Sequence, residues 1–341
     1  MADHTRRPVL GISMGDPNGL GPEVILKCFR DSRMMDHCVP LVFGSALAFE
    51  HYMSLYKWNT YKYKVIEGVN EIDRTCLNII DVCPDFNEMS IGSSNKSGGM
   101  ASWRSLDAAV KTLLANTIDA LVTGPINKHN IQSADFTFPG HTEFLAQQAG
   151  QEEALMLLVH QNLRVGMVTG HIPLKDVSSK ITANSIRRKL KMMEKALIED
   201  FGKESPKIAV LGLNPHAGDE GLLGTEEKEL IAPLLAEMQE NGHFFMGPFP
   251  ADGFFGSRNF RNFDGILAMY HDQALAPFKS IAFNRGVNYT AGLPFIRTSP
   301  DHGTGYDIAG RGIASEGSFR EAVFCALDVM RSRKALWQDQ E

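Results

Sequence analysis

The stretch VLGISMGDPNGLGPEVILKCFR, residues 9–30, decides the fold class. Val9 to Met14 is an apolar run of strand length, and the glycines, proline, aspartate and asparagine from Gly15 to Gly21 are turn chemistry. Pro22 stands where a first helical turn tolerates a missing N–H, so Glu23 to Phe29 reads as a helix. Strand, glycine-rich loop and helix make half of a βαβ unit. The alternation recurs in Val39 to Phe43 before a helical Ala46 to Tyr56, in Ile79 to Val82, and in a helical Ala101 to Ala115 leading into Ala120 to Thr123. It resumes in a helix over Ile186 to Phe201, strand Ile208 to Leu213, helix Glu226 to Gln239, strands Phe244 to Phe249 and Gly265 to Tyr270, and a last helix Phe319 to Arg333. Such alternation predicts an α/β fold with mostly parallel sheets. One antiparallel element is expected, because Ala154 to His160 and Leu163 to Thr169 are separated only by Gln161 and Asn162, as in a hairpin.

At 341 residues the chain has the length of about two domains. Hydrophobic residues at 43% and charged ones at 22% exclude disorder, and 34 basic against 40 acidic side chains give no basic excess for nucleic acid. No apolar run reaches the roughly 18 residues of a membrane span, and the apolar stretch after Arg6 and Arg7 is cut short by Asp16. A cytoplasmic protein without nucleic-acid or membrane partners is therefore expected. Cys28, Cys38, Cys76, Cys83 and Cys325 are scattered and never spaced as CxxC, which reads as reduced structural thiols. No linker or repeat marks a boundary. The expected division is residues 1–130 plus 300–341 as one domain and 131–299 as the other.

Nearly every strand ends in a loop dense with Gly, Pro, His, Asn and Asp, and in open α/β sheets ligands bind beyond the carboxyl ends of strands. Of 11 histidines, His141, His171, His216 and His271 follow strands or sit in such loops. Three neutral imidazoles suit a borderline divalent cation such as Zn, Co or Ni better than Mg, which prefers oxygen. Asp252 and Asp272 flank the histidine loops, where a carboxylate can orient a ligand imidazole or relay a proton. The loop MGDPNGLGPE has neither the Gly-Lys-Ser/Thr of a phosphate-binding P-loop nor GxGxxG spacing; taken alone it reads equally well as a tight strand-to-helix turn.

Eight ordered segments carry a resemblance over nearly the whole chain: GDPNGLGPE (15–23), TGPINK (123–128), FPGHTEF (138–144), LNPHAG (213–218), GTEE (224–227), GPFPAD (247–252), AMYHDQ (268–273) and GVNYTAGLPFIRTSPDHGTGYDIAGRG (286–312). The sequence resembles the 4-hydroxythreonine-4-phosphate dehydrogenase (PdxA) family of pyridoxal phosphate, or pyridoxine, biosynthesis. It departs at Asn18, where that family usually has alanine. The resemblance implies two α/β domains around a central cleft, as in isocitrate and isopropylmalate dehydrogenases. It also implies NAD-dependent oxidation of 4-phosphohydroxy-L-threonine to a 3-oxo acid that loses CO2 to give 3-amino-2-oxopropyl phosphate.

Carried over by residue, His171, His216 and His271 would hold one divalent metal per site, Zn, Co or Mg, in a homodimer with its active site at the subunit interface. His141, Thr142, Lys279, Asn288 and Arg297 would contact substrate, with Lys279, Asp252 and Asp272 as candidates for catalytic proton handling. The segment HGTGYDIAG is similar to one that wraps the adenosine half of NAD in isopropylmalate dehydrogenases, which assigns His302, Gly303, Thr304 and Asp307 to the cofactor. A carboxylate at Asp307 favours NAD over NADP, although Arg311 nearby leaves NADP use possible; the bland alternative makes Asp307 the N-cap of a following helix. The motifs do not separate this activity from a paralogous dehydrogenase of 4-phospho-D-threonate or 4-phospho-D-erythronate, or of an unphosphorylated cyclic diol. A metal-dependent hydrolase could use three histidines too, but has no use for HGTGYDIAG.

Overall fold

The computed structural model describes residues 6–133 and 135–338. It comprises two compact units, unit 1 from Met1–Glu152 with Leu293–Leu327, and unit 2 from Glu153–Gly292 with Asp328–Glu341.

Unit 1 runs β1 (Val9–Ser13), α1 (Gly21–Arg30), β2 (Val39–Gly44), α2 (Ala46–Leu55), β3 (Tyr63–Ile66), β4 (Leu77–Asp81), α3 (Lys96–Leu114), β5 (Ala120–Thr123) and α4 (His141–Gln148). Its strands lie in the order β3-β4-β2-β1-β5, and the returning chain adds a strand, Arg297–Pro300, beside β5. All pairings are parallel. Every residue of β1, β2 and β5 is buried, as expected for strands covered by helices on both faces. Polar side chains start the helices: Ser45 Oγ accepts from the Ala48 amide at 3.3 Å, and Asn95 Oδ1 from the Gly98 amide at 2.7 Å.

Unit 2 runs β6 (Leu155–His160), β7 (Leu163–Met167), α5 (Val177–Lys180), α6 (Ala183–Glu199), β8 (Ile208–Leu211), α7 (Ala232–Glu240), β9 (Phe245–Phe249), α8 (Ala251–Gly256), β10 (Gly265–Ala268), α9 (His271–Ala282) and β11 (Val287–Ala291). The strand that returns to unit 1 is β12, and the last helix is α10 (Gly317–Gln338). The unit 2 order is β11-β6-β7-β10-β8-β9. The pairs β6–β7 and β6–β11 are antiparallel and the rest parallel. Gln161, in the two-residue turn between β6 and β7, takes φ 51° as a tight hairpin requires. On one face of this sheet Leu158, Val165, Ala209 and Ile266 pack with Phe254 of α8 and Phe278 of α9. Burying those rings fixes where α9 begins, and α9 begins at a histidine.

The end of α6 is tied down by a buried carboxylate. Asp200, 4% exposed, accepts from Tyr289 Oη of β11 at 2.5 Å and from Arg333 Nε of α10 at 2.7 Å. Removing one member of such a group strands the others without partners. Asp200→Ala should therefore lower the unfolding free energy by about 3 kcal/mol and Tyr289→Phe by about 1 kcal/mol, measured by urea denaturation. Equal losses would contradict this account.

Candidate active site

In unit 2, pairing between β7 and β10 continues past both strands. The amides of Val168 and Thr169 donate to the carbonyls of Ala268 and Met269 at 2.9 and 3.1 Å, and Thr169 Oγ1 donates to Met269 O at 2.8 Å. The two chains are thus held in step up to the histidines, and the rings of His171 and His271 stand 5.4 Å apart between centroids. They line a concavity of about 300 Å³ with Tyr270, Asp272, Ile172 and Leu174. His271 Nδ1 lies 2.6 Å from Asp272 Oδ1. A carboxylate cannot donate when ionised, so this contact sets the tautomer with the proton on Nδ1 and leaves the Nε2 lone pair for a ligand. Lys279 is on the same helix eight residues from His271, about 12 Å along the axis and roughly 80° around it. Asn288 lies on β11 opposite Leu158, with a buried Oδ1 that has no hydrogen-bond partner. Asp252 is exposed in the first turn of α8 and hydrogen-bonds to none of the described histidines.

His216 follows β8, the other parallel neighbour of β10, in an unusual loop. His216, Ala217, Gly218, Asp219 and Glu220 all have left-handed φ, between 44° and 82°. Four of these residues carry a Cβ, and each disfavours that region by about 1–2 kcal/mol. Glu227, buried at 3% exposure, braces the loop: its carboxylate accepts from the Asn214 amide at 2.7 Å and from Asn214 Nδ2 at 3.0 Å. Glycine is required at 218, since a Cβ there would meet Glu227 Oε2 at 2.7 Å. Gln273 of α9 ties the two strand ends together, accepting from Met269 N at 2.7 Å and donating to Gly212 O at 2.6 Å. Among the described residues no three His, Cys, Asp or Glu side chains form a metal-holding group. His171 and His271 come together, and His216 stays outside that pair.

Unit 1 carries a second set. His141 and Thr142 open α4 behind Gly140, where helix amides and the dipole favour negative charge. Arg297, the first residue of β12, is 1% exposed and donates from Nη2 and Nε to Thr123 Oγ1 at 2.6 and 3.1 Å. Burial pushes its guanidinium down to about 9, opposed by the Glu143 carboxylate. His141 Nε2 is buried without a hydrogen-bond partner, although the residue as a whole keeps some accessible surface. Burial first, then the positive charges of Arg297 and Lys128, hold this imidazole well below its usual range, so it is neutral at physiological pH. A neutral imidazole, a buried guanidinium and a helix N-terminus together suit an anionic oxygen-rich group. Thr123 and Lys128 were not singled out from the sequence, though both lie in its TGPINK segment.

The glycine-rich loop of unit 1 has few free amides. Asp16 N donates to Pro125 O at 2.9 Å, Asn18 N to Asp16 Oδ1 at 2.9 Å, Gly19 N to Asp16 O at 3.1 Å and Leu20 N to Thr304 O at 2.8 Å. Donors spent on protein cannot cradle phosphate. Instead the loop seats the segment from His302 to Asp307, and at Gly19 a Cβ would meet Thr304 O at 2.6 Å. Asp307 is exposed; the residues after it form turns and α10 starts only at Gly317, so it caps no helix. His302 Nδ1 lies 2.9 Å from Gly303 O.

Comparison with known proteins gives the class first. A 4-hydroxythreonine-4-phosphate dehydrogenase from Bacteroides thetaiotaomicron is 46% identical over 326 residues, covering 95% of this chain and 89% of the relative. The crystal structure of a 4-hydroxythreonine-4-phosphate dehydrogenase from Klebsiella pneumoniae superposes with TM-score 0.83 at 32% identity, covering 96% and 99% of the two chains. A terephthalate 1,2-cis-dihydrodiol dehydrogenase from Burkholderia xenovorans shares the fold, with TM-score 0.61 at 24% identity over 94% and 98% of the two chains. The chain is thus an oxidoreductase of the dehydrogenase class. Residues 36–326 match the family described as pyridoxal phosphate biosynthetic protein PdxA, and the chain belongs to that family.

The neutral state of His141 has a thermodynamic signature. Its folded pKa lies below the unfolded value near 6.5, so below that pH the unfolded chain binds a proton that the folded chain does not. Stability from this residue is present above pH 6.5 and falls as the pH drops, by at most about 1.4 kcal/mol per unit. Urea denaturation at pH 7.5 and 5.5 should show that fall in the wild type and a shallower one in His141→Gln. Identical slopes would mean that the imidazole titrates normally.

Proposed function

We propose that this enzyme oxidises 4-phosphohydroxy-L-threonine at its C3 hydroxyl with NAD, giving a 3-oxo acid that decarboxylates to 3-amino-2-oxopropyl phosphate. The observation that carries this reading is the family match over residues 36–326 together with relatives named for that dehydrogenase. Arg297, His141 and Thr142 in unit 1 support it, since they offer an anionic substrate a buried cation, a neutral donor or acceptor and helix amides. Lys279 and Asn288 keep the role of substrate contacts that the resemblance gives them.

The donor set fits a divalent cation in part. His171 and His271 present two imidazoles 5.4 Å apart, and Asp272 orients one of them as an outer carboxylate does for a ligand histidine. We assign these two as ligands and His216, which follows the adjacent strand β8, as the third, with Zn or Co preferred to Mg by nitrogen donors. Held by residues 302–307, a nicotinamide cofactor would supply the hydride acceptor for C3, and a cation held by the histidines would supply a Lewis acid for the substrate oxygen. The residues supply the rest. Lys279, Asp272 and Asp252 are the candidates to take the hydroxyl proton, the first two on α9 and the third on α8. The segment His302, Gly303, Thr304 and Asp307 is assigned to the adenosine half of the cofactor, with NAD preferred to NADP. This reading also includes a homodimer with its active site at the subunit interface and a cytoplasmic setting. Burial pushes the Cys38 and Cys83 thiols up to about 12, in keeping with a structural role for these cysteines.

NADH formation followed at 340 nm should be faster by kcat/KM with 4-phosphohydroxy-L-threonine than with 4-phospho-D-threonate or 4-phospho-D-erythronate. A preference for either phosphorylated hydroxy acid would replace the substrate while keeping the dehydrogenase. Metal analysis and titration supply a separate check. Asp272→Asn should weaken divalent-metal affinity roughly 10- to 100-fold, and His271→Ala should remove the metal from the folded protein. Full metal content in His271→Ala would refute the assignment.

A further inference from the structure

Asp16 is fully buried and has no ion pair among the described residues. Its carboxylate is met instead by three donors: Asn18 N at 2.9 Å on Oδ1, and Asn130 Nδ2 and Tyr306 Oη, each at 2.7 Å, on Oδ2. Burial, then the bond to Asp16, pushes the Tyr306 hydroxyl up to about 12, so it stays protonated and donates. The same loop holds Thr304 by its carbonyl through Leu20 N at 2.8 Å. Residues 304 and 306 are thereby held, while Gly303 before them and Asp307 after them are exposed. Gly303 has open space where a Cβ would stand, and Gly305 takes φ +55° with Leu20 packed against it. The segment is thus held at three successive residues, 304 to 306, with an exposed residue at each end.

We infer that Asp16 is a positioning residue for the dinucleotide: acting through Tyr306, it fixes the backbone of residues 303–307 in the form that presents Asp307 to the adenosine ribose. Asp16 itself touches no cofactor in this scheme. A charged acceptor makes the hold firm, because hydrogen bonds to an ionised group are about twice as strong as neutral ones. Pre-paying the ordering of a binding segment shows in affinity, since a segment that must be ordered on binding subtracts that cost. The inference rests on the assignment of residues 302–307 to NAD, and the experiment separates the two.

NAD alone is titrated calorimetrically into the metal-loaded enzyme and its variants, well below the melting temperature of each. Tyr306→Phe should weaken NAD about tenfold, equivalent to about 1.4 kcal/mol, with the kinetic loss carried by KM for NAD more than by kcat. Asn130→Ser removes the other side-chain donor to Asp16 and should weaken NAD in the same direction, which keeps the question open to test if Tyr306→Phe folds poorly. Asp307→Ala reports on the cofactor assignment itself. Weaker NAD in Asp307→Ala with wild-type affinity in Tyr306→Phe and Asn130→Ser would overturn the positioning role and leave the cofactor assignment standing. Wild-type affinity in all three would overturn both. A lower melting temperature in Tyr306→Phe with unchanged NAD affinity would show a structural hydrogen bond only, and would also overturn the inference.

Discussion

A carboxylate taken out of water without a cation must be met by donors, and in unit 1 the burial of Asp16 imposes that constraint on four segments at once. The donors come from the glycine-rich loop, from Asn130 and from Tyr306, while Asn95 joins through its carbonyl to Asn130 Nδ2 at 3.1 Å. Losing any one donor exposes the charge to an unsatisfied site, which costs more than the bond itself is worth. The strand β1 delivers Asp16 to this point because every residue from Val9 to Ser13 is buried and cannot shift register without moving apolar side chains. Core packing thus fixes the loop, and the loop fixes the segment beside it.

Unit 2 reaches its histidines by a different route. Parallel neighbours end on the same side of a sheet, so residues a few positions beyond β7 and β10 are neighbours by topology alone. The extra pairing of residues 168 and 169 narrows that neighbourhood to a ring-to-ring contact. After β8 the extra backbone bond goes to β9 instead of β10, from Gly212 N to Phe249 O at 2.8 Å. There the chain turns into a left-handed run held by Glu227 and Glu226, whose carboxylates meet Asn214 at 2.7 to 3.0 Å. Two histidines are placed by strands and the third by a loop, which is why only two of them meet.

Much of the architecture was legible in the sequence for physical reasons. Long apolar runs such as Val39–Gly44 are buried on both faces, and such strands carry their own signal. The short β3 did not: Tyr63–Ile66 has two exposed residues of its four and lies at the sheet edge, where little burial is required. β12 was hidden as well, because Arg-Thr-Ser-Pro has no apolar residue, yet all four positions are buried. The strand-end histidines could be picked out by place and residue type, but their distances could not, since those depend on pairing beyond the strands. The role of the glycine-rich loop was the least legible. Its composition suits phosphate and protein equally, and only the count of spent amides separates the two.

Asn18 shows how closely that loop is fitted. Asn18 is fully buried; its Oδ1 accepts from Ser90 N at 2.7 Å and its Nδ2 donates to Asn95 Oδ1 at 3.2 Å. An alanine at this position has no atoms to make either bond. The asparagine in turn demands room, because a Cβ on residue 98 would stand 2.7 Å from Asn18 Nδ2 and 2.9 Å from Asp16 Oδ1. Gly98 meets that demand at the start of α3, where the glycine costs the helix about 1 kcal/mol relative to alanine in intrinsic propensity. Its amide donates to Asn95 Oδ1 at 2.7 Å, so the residue that makes room for the asparagine is also the one capped by the side chain the asparagine touches. Asn18, Asn95 and Gly98 are therefore one packing solution around Asp16, and a change at any of them must be answered at the others.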